Sequence, residues 1–249
     1  MVLMVLAGCS FLQTEPRHGI LCLTFDDPNW ERWEQQLPLF RQYGARVSFF
    51  PSGPLDDTAL ASLRRIYDEG HCVGPHTMHH TDAQQFFAAK GAESYWIEEV
   101  KPQMDAFAKV GIFPKAMAYP YNRHTMDTDA FLMTKGGFRR FRVSAPKSWG
   151  PNRFGRKHAE ADDAFLPASA FPTMVAAPGI GVGEHYKTDI DDLLTALDRA
   201  AARNELITLY SHDISPDAHG VNMRTDWLVK ILTRAHELKM EFRTLEDLR

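Results

Sequence analysis

Four short stretches of this 249-residue chain carry side chains whose types and spacing suit chemistry. Asp26-Asp27 closes one apolar run, His76 and His80 follow a second, Tyr119-Pro120-Tyr121 ends a third, and Ser211-His212-Asp213 ends a fourth. His76 and His80 have the spacing of one face of a helical turn, so both imidazoles can point at one ion. One aspartate completes a set of two histidines and a carboxylate, leaving a position for water or substrate. Such a site keeps net positive charge and lowers the pKa of a coordinated water from ~15.7 to ~7. Zinc suits these nitrogen-rich ligands best, and cobalt, nickel or iron also fit. A histidine pair at this spacing is by itself more often a surface feature. Joined to Thr24-Phe25-Asp26-Asp27 at a strand end, it reads as a ligand pair.

The elements that must position these groups alternate along the chain. Residues 19–25 form a continuous apolar run, the mark of a strand buried on both faces. Trp30, Trp33, Leu37 and Phe40 at helical spacing predict a helix over 30–43, with Gly44 as its stop. Further strands are expected over 45–50, 71–74, 115–119, 138–143, 173–177, 205–211 and 241–243. Helices are expected over 56–69, 93–110, 128–135, 190–203 and 224–239, with Pro102 breaking or kinking the second of these. Residues 144–171 carry proline, glycine and charge without period and read as a long excursion over the barrel mouth.

Repeated β-then-α units without a Gly/Ser linker predict one parallel sheet in a single α/β domain. About seven or eight such units favour closure into a distorted TIM-like (β/α) barrel over an open doubly wound sheet. The turn after Phe25 is Asp-Asp-Pro-Asn, not a glycine-rich phosphate cradle, which argues against a dinucleotide fold. In a parallel barrel the C-terminal strand ends share one rim, where catalytic residues collect. The four stretches therefore deliver the carboxylates of Asp26 and Asp27, the imidazoles of His76, His80 and His212, and Tyr121 to one place.

Composition narrows the class further. The chain is 44% hydrophobic and 24% charged with a net charge of −4, as ordinary globular proteins are. Its charges are interspersed, so no basic face points to nucleic acid. Three cysteines are too few for a disulfide framework, and Cys22 and Cys72, each in an apolar run, read as buried small hydrophobes. Cys9 differs. Met1 to Ala7 is wholly apolar, and Leu6-Ala7-Gly8-Cys9 resembles the lipobox of bacterial lipoproteins, without a basic n-region. Residues 1–17 are then a lipoprotein signal, anchor and linker, and 18–249 the barrel domain. This places the protein at the bacterial cell envelope, lipid-anchored through Cys9 or secreted if not lipidated, with no other membrane contact.

The motifs resemble those of the polysaccharide deacetylase (NodB-like, carbohydrate esterase 4) family. Thr24-Phe25-Asp26-Asp27 is similar to its first motif and Gly70-His71-Cys72-Val73-Gly74-Pro75-His76-Thr77-Met78-His79-His80 to its second. Tyr119-Pro120-Tyr121 resembles part of the third and Leu209-Tyr210-Ser211-His212 the last, in family order over nearly the whole chain. The resemblance implies a distorted (β/α) barrel of about seven strands that hydrolyses linear amides, removing N- or O-acetyl groups from carbohydrate. It implies that Asp27, His76 and His80 hold a divalent metal, zinc before cobalt, nickel or iron. Asp26 is the implied general base towards water, His212 the implied general acid towards the leaving amine, and the Tyr121 N–H an implied oxyanion donor. His71 and His79 are expected as supporting or surface residues.

Three features depart from the family pattern, one of them Asn122, which stands where glycine is often seen. Many members carry an arginine two residues before the third-motif proline, where it orients the catalytic aspartate; this chain has Ala118. The local sequence Ala118-Tyr119-Pro120-Tyr121 instead resembles a branch containing poly-N-acetylglucosamine deacetylases, which points to an N-acetylglucosamine-containing glycan as substrate. Arg142, near a strand end, is the arginine best placed to supply the missing guanidinium. Of an Asp-Trp fourth motif only Trp149 is a candidate. Pro120, Trp149 and Arg142 are candidate substrate contacts, with Trp30, Tyr121 and Phe154 as further sugar-facing aromatics. Two rival readings are a small-molecule amide or ureide hydrolase, favoured by a narrow lidded pocket, and a catalytically silent carbohydrate-binding lipoprotein.

Overall fold

The first strand, β1 (Ile20–Asp26), is buried along its entire length, as its uninterrupted apolar sequence requires. The computed structural model describes residues 18–145 and 157–248. Around β1 stand β2 (Ser48–Phe50), β3 (Cys72–Val73), β4 (Ala116–Ala118), β5 (Arg140–Ser144), β7 (Ala176–Gly181) and β8 (Glu205–Ser211). They pair in the order β3-β2-β1-β8-β7-β5-β4, all in parallel. Helices surround this nearly closed barrel of seven parallel strands. The two path ends, β3 and β4, meet through one hydrogen bond from Ala118 N–H to the Pro75 carbonyl (3.3 Å). Gly74 permits that approach, since a Cβ there would lie 2.2 Å from the Ala116 carbonyl oxygen.

Two short strands are attached outside the seven. β6 (Phe165–Pro167) runs antiparallel to β8, and β11 (Glu241–Phe242) pairs with the beginning of β1. A separate ladder joins β9 (Ile214–Ser215) to β10 (Met223–Arg224) beyond the end of β8.

Strand periodicity decides what enters the barrel. Leu21, Leu23 and Phe25 of β1, with Ile207 and Leu209 of β8, pack outward with the helices. Ile20, Cys22, Ala116, Ala118, Ala177 and Leu206 share the interior cluster instead. Continuing each strand two residues at a time places Asp26, Arg142, Gly179, Gly181 and Tyr210 on the inner face near the mouth. Ala118 is the register partner of Arg142, so these two inner positions stand side by side at one level.

The helices follow their apolar stripes, with local exceptions. Helix α3 (Asp57–Asp68) is capped by Asp56, whose carboxylate accepts the Ala59 N–H, and buries Leu60, Leu63 and Ile66. Helices α8 (Ile190–Arg203) and α9 (Thr225–Glu237) match the expected spans within a few residues. The helix expected over 30–43 is two, α1 (Trp30–Gln35) and α2 (Leu37–Gln42). Pro38 near the start of the second cannot donate to the preceding turn, which breaks the run. Helix α4 (Ala83–Lys90), capped by Asp82, occupies a stretch without a predicted element because it buries only Ala83 and carries no apolar stripe. Pro102 likewise interrupts the span expected over 93–110, which becomes α5 (Ala92–Tyr95), a π-turn (Trp96–Val100) and α6 (Lys101–Lys109). Helix α7 (Met126–Gly136) completes the set. The strand expected over 173–177 lies three to four residues later, as β7 (Ala176–Gly181).

Candidate active site

Asp26 ends β1 on its inner face, only 2% exposed, where an unpartnered carboxylate would be costly. Its partner is Arg142 of β5, itself 1% exposed, whose Nη2 donates to Asp26 Oδ2 while Nη1 donates to Asn122 Oδ1. The guanidinium also lies over the Tyr210 ring, 4.7 Å from its centroid. The charge partner that Ala118 cannot provide thus comes from the neighbouring strand at the same level. Room for it exists because Ala118 is small and Gly179 bears no side chain; a Cβ at Gly179 would lie 2.9 Å from Tyr210 Cδ1. Asp26 Oδ1 is buried and has no hydrogen-bond partner among the described residues.

Asp27 turns away from the barrel interior with its backbone in the left-handed region (φ 74°). Its N–H donates to the Phe50 carbonyl (3.1 Å), and Ser52 Oγ donates to its Oδ1 (3.1 Å). His76 and His80 do not sit on a helical turn as their spacing suggested. They belong to an irregular loop after β3, with Thr77 and His80 at positive φ (70° and 53°). The loop brings the rings together all the same, with centroids 4.9 Å apart.

The ligand chemistry fits a divalent cation. His76 Nδ1 lies 2.8 Å from the Ala118 carbonyl, which can only accept, so Nδ1 carries the proton and Nε2 faces the cavity. Burial, reinforced by the Arg142 cation, pushes the His76 imidazole well below its ordinary range and keeps it neutral, as metal ligation requires. His80 Nε2 stands 3.6 Å from Asp27 Oδ1, close to the roughly 3.4 Å between two ligands on one tetrahedral ion. One donor atom from each of Asp27, His76 and His80 lies within 4.8 Å of the others. Arg142 offsets the charge of Asp26, which leaves Asp27, the carboxylate of this set, to balance a cation.

His212 follows β8 on the far side of Asp27, with Nε2 3.6 Å from Asp27 Oδ2. Its Nδ1 donates to the Val221 carbonyl (3.1 Å), and its own carbonyl accepts from Trp33 Nε1 (2.9 Å). Nε2 is therefore the nitrogen presented to the site. Ser211 Oγ lies within hydrogen-bond reach of the Val182 and Val221 carbonyls (2.8 and 3.0 Å), tying down the segment that holds the imidazole.

These groups line one cavity of about 320 Å³, together with Tyr119, Tyr121, Asn122, His185, Tyr186, Tyr210 and Val221. Tyr121, 58% exposed and at φ 54°, covers His80 with ring centroids 4.6 Å apart. His80 and Tyr121 also border a second depression of about 640 Å³ reaching His79, Gln85 and Arg123. A third, of about 310 Å³, lies between Trp30, Arg32 and Asp213.

The remaining expected contacts divide. Pro120 is buried and does not line the cavity, whereas Arg142 lines it with its head bonded to Asp26 and Asn122. Trp149 and Phe154, like Cys9, lie outside the described residues. His71 is a buried structural group that accepts the Val47 N–H (3.1 Å) and is pushed down to about 4 by burial. Cys22 and Cys72 are buried free thiols, with Cys22 pushed up to about 12 by burial. His185 and Tyr186 escaped the sequence reading, and Asn122 and Tyr210 entered it only as motif positions without a role. The histidine at 185 follows a barrel strand, as the other site residues do, and was hidden because β7 was expected to end at 177.

Residues 13–139 match the family model described as "Polysaccharide deacetylase". The chain belongs to the polysaccharide deacetylase family. A chitin deacetylase from Colletotrichum lindemuthianum is 32% identical over 121 residues, which span 46% of this chain and 46% of that protein. A peptidoglycan-N-acetylglucosamine deacetylase from Bacillus cereus is 39% identical over 62 residues, spanning 24% of this chain and 29% of the relative. The matched spans thus cover less than half of these relatives. Among solved structures, the Colletotrichum lindemuthianum chitin deacetylase aligns with a TM-score of 0.57 at 18% identity, covering 92% of this chain and 86% of the other. The peptidoglycan deacetylase PdaC from Bacillus subtilis gives 0.58 at 17% identity, covering 94% and 92%. At these identities the structural likeness concerns the fold alone.

Proposed function

We propose that this protein removes N-acetyl groups from an N-acetylglucosamine-containing glycan, with a divalent cation, zinc first among candidates, held by Asp27, His76 and His80. The observation that carries the reading is the convergence on one cavity of that ligand set, the Asp26–Arg142 pair on one side and His212 on the other. When bound, the cation supplies Lewis-acid chemistry, acidifying water and polarising the amide carbonyl.

The chain's own residues supply the proton transfers and orientation. Asp26 accepts a proton from the attacking water at Oδ1, while Arg142 fixes the carboxylate through Oδ2. The main-chain N–H of Tyr121 donates to the oxygen on which charge develops. His212, its tautomer set by the Val221 carbonyl, carries the proton at Nε2 that the leaving nitrogen needs. Among the described residues, the three depressions leave room for an extended polar substrate, which favours a glycan chain over a small ureide. The relatives named for chitin and peptidoglycan N-acetylglucosamine support the same substrate class.

The apolar run before Cys9 supports lipidation there and attachment to the cell envelope, with residues 18–249 as the catalytic domain. Among the described residues, no helix is long and apolar enough to cross a membrane. Exchange of Cys9→Ser for the parent should move the protein from the membrane to the soluble fraction.

The deciding experiment measures acetate released from N-acetylglucosamine oligomers with and without chelator, beside Asp26→Asn and His80→Ala. Loss of release on chelation, restored by zinc, and losses of about 10²-fold or more in both variants are expected. Release indifferent to the chelator and to both substitutions would sink the mechanism.

A further inference from the structure

Two buried polar side chains outside the cavity, Glu99 and Gln103, bind the loop that carries both histidines of the ligand set. Glu99 is 2% exposed and Gln103 1%. The helix presenting them is widened into a π-turn over Trp96–Val100, with the Lys101 N–H bonding back to the Trp96 carbonyl. Pro102 accounts for the widening, since it has no N–H for the Glu98 carbonyl and its ring crowds that carbonyl.

The bonds are specific to the loop. The Glu99 carbonyl accepts the Met78 N–H (2.8 Å), Oε2 accepts the His79 N–H (2.9 Å), and Oε1 accepts from His79 Nδ1 (3.0 Å). Gln103 Oε1 accepts the His76 N–H (3.1 Å), while its Nε2 donates to the carbonyls of Pro51 (3.0 Å) and Gly53 (2.9 Å). Between those two carbonyls sits Ser52, whose hydroxyl bonds Asp27 Oδ1. Gln103 therefore touches the segments behind His76 and Asp27 at once, and all of its donors and acceptor are used.

The loop needs such support. Thr77 and His80 both have positive φ, and for a β-branched residue like Thr77 this is a marked departure from preference. Strained backbone persists only where its surroundings over-determine it. Here the surroundings are the two side chains one helical turn apart on the π-widened helix.

We infer that Glu99 and Gln103 are positioning residues that hold the His76–His80 loop in ligating geometry before the cation arrives, so that their loss weakens metal affinity ahead of folding. The inference rests on the metal reading above. Outer-shell partners of metal ligands typically control affinity by about 10- to 100-fold.

The test is zinc affinity of the full chain by chelator-competition titration, with melting curves of the metal-free proteins. Glu99→Ala and Gln103→Leu should each weaken zinc binding by about tenfold or more. Glu99→Gln, which keeps an acceptor for the His79 N–H, should recover to within about threefold. Leu232→Ala, a buried change on the remote α9, should lower the melting temperature while leaving the zinc constant within about twofold, separating positioning from general destabilisation. Should Glu99→Ala fail to fold, Gln103→Leu decides. A parent that takes up zinc with a Gln103→Leu variant that binds as tightly overturns this inference alone. A parent that takes up no ion overturns the metal reading, and this one with it.

Discussion

The buried Asp26–Arg142 pair makes the sharpest quantitative claim, because both ends are nearly fully enclosed. Two unit charges about 4 Å apart interact by ~4 kcal/mol at an effective dielectric near 20. Removing one partner of a buried pair leaves the other uncompensated and costs ~3–5 kcal/mol. Arg142→Met keeps most of the stem and removes the guanidinium, so it should destabilise the protein by that amount. In an Asp26→Asn background the charge is already gone. What remains is the contact over Tyr210 and the bond to Asn122, together ~1–2 kcal/mol. Urea unfolding of the four metal-free proteins, followed by fluorescence and circular dichroism, gives the cycle directly, provided their m-values agree. A coupling of ~1–4 kcal/mol is expected. If Arg142→Met costs the same in both backgrounds to within ~0.5 kcal/mol, the arginine does not serve Asp26, and its role must be sought in the substrate.

His212→Gln should lower kcat/KM on N-acetylglucosamine oligomers by about 10²–10⁴-fold but act less than about tenfold on an aryl acetate ester, whose leaving group needs no proton; equal losses on both would remove His212 as the acid. His71 is held down at about 4 by burial, against 6.5 ordinarily, so the unfolded chain takes up a proton that the folded protein refuses. Its contribution is complete above pH 6.5 and is lost as pH falls towards 4, by ~3 kcal/mol at 1.36 kcal/mol per pH unit. A His71→Asn variant should show a flatter stability curve across that window in urea titrations, and parallel curves would count against it. Gly179→Ala places a methyl group 2.9 Å from Tyr210 Cδ1 and 3.6 Å from Arg142 Cδ, so it should cost ~1–3 kcal/mol and lower kcat more than it raises KM. Unchanged kcat in a destabilised Gly179→Ala protein would show that the Tyr210–Arg142 stack does not position the base.

How far the sequence revealed this site depended on whether side chains marked the strands. β1 and β8 announce themselves by uninterrupted apolar runs, and the polar residues directly after them fall where a parallel barrel collects its chemistry. The inner face of β7 carries only Ala177, Gly179 and Gly181, so it has almost no side chains to show. That absence is structural, because the Tyr186 and Tyr210 rings fill the space. It also displaced the expected strand and hid His185. The His76–His80 spacing led to the right cluster by an unsuitable route: a helical turn was inferred where two left-handed residues make the bend. Glu99 and Gln103 look from sequence like the polar face of an ordinary helix, and only the π-turn caused by Pro102 reveals what they face.

Register explains why the missing arginine at Ala118 need not leave Asp26 without a cation. In a parallel barrel, partnered residues on adjacent strands point to the same face at the same height, so a function tied to height can move between strands. Ala118 and Arg142 are such partners. The move imposes conditions on the neighbours: position 118 must be small, β7 must be bare at Gly179, and Tyr210 must lie flat under the guanidinium. Asn122, where glycine is often found in the family, is then no incidental change, since its Oδ1 accepts the second guanidinium nitrogen. The departures at Ala118 and Asn122 are therefore parts of one rearrangement around Asp26. Read singly from the sequence, Ala118 counts against the site; with Arg142 and Asn122 in the barrel it is one way of keeping the carboxylate paired.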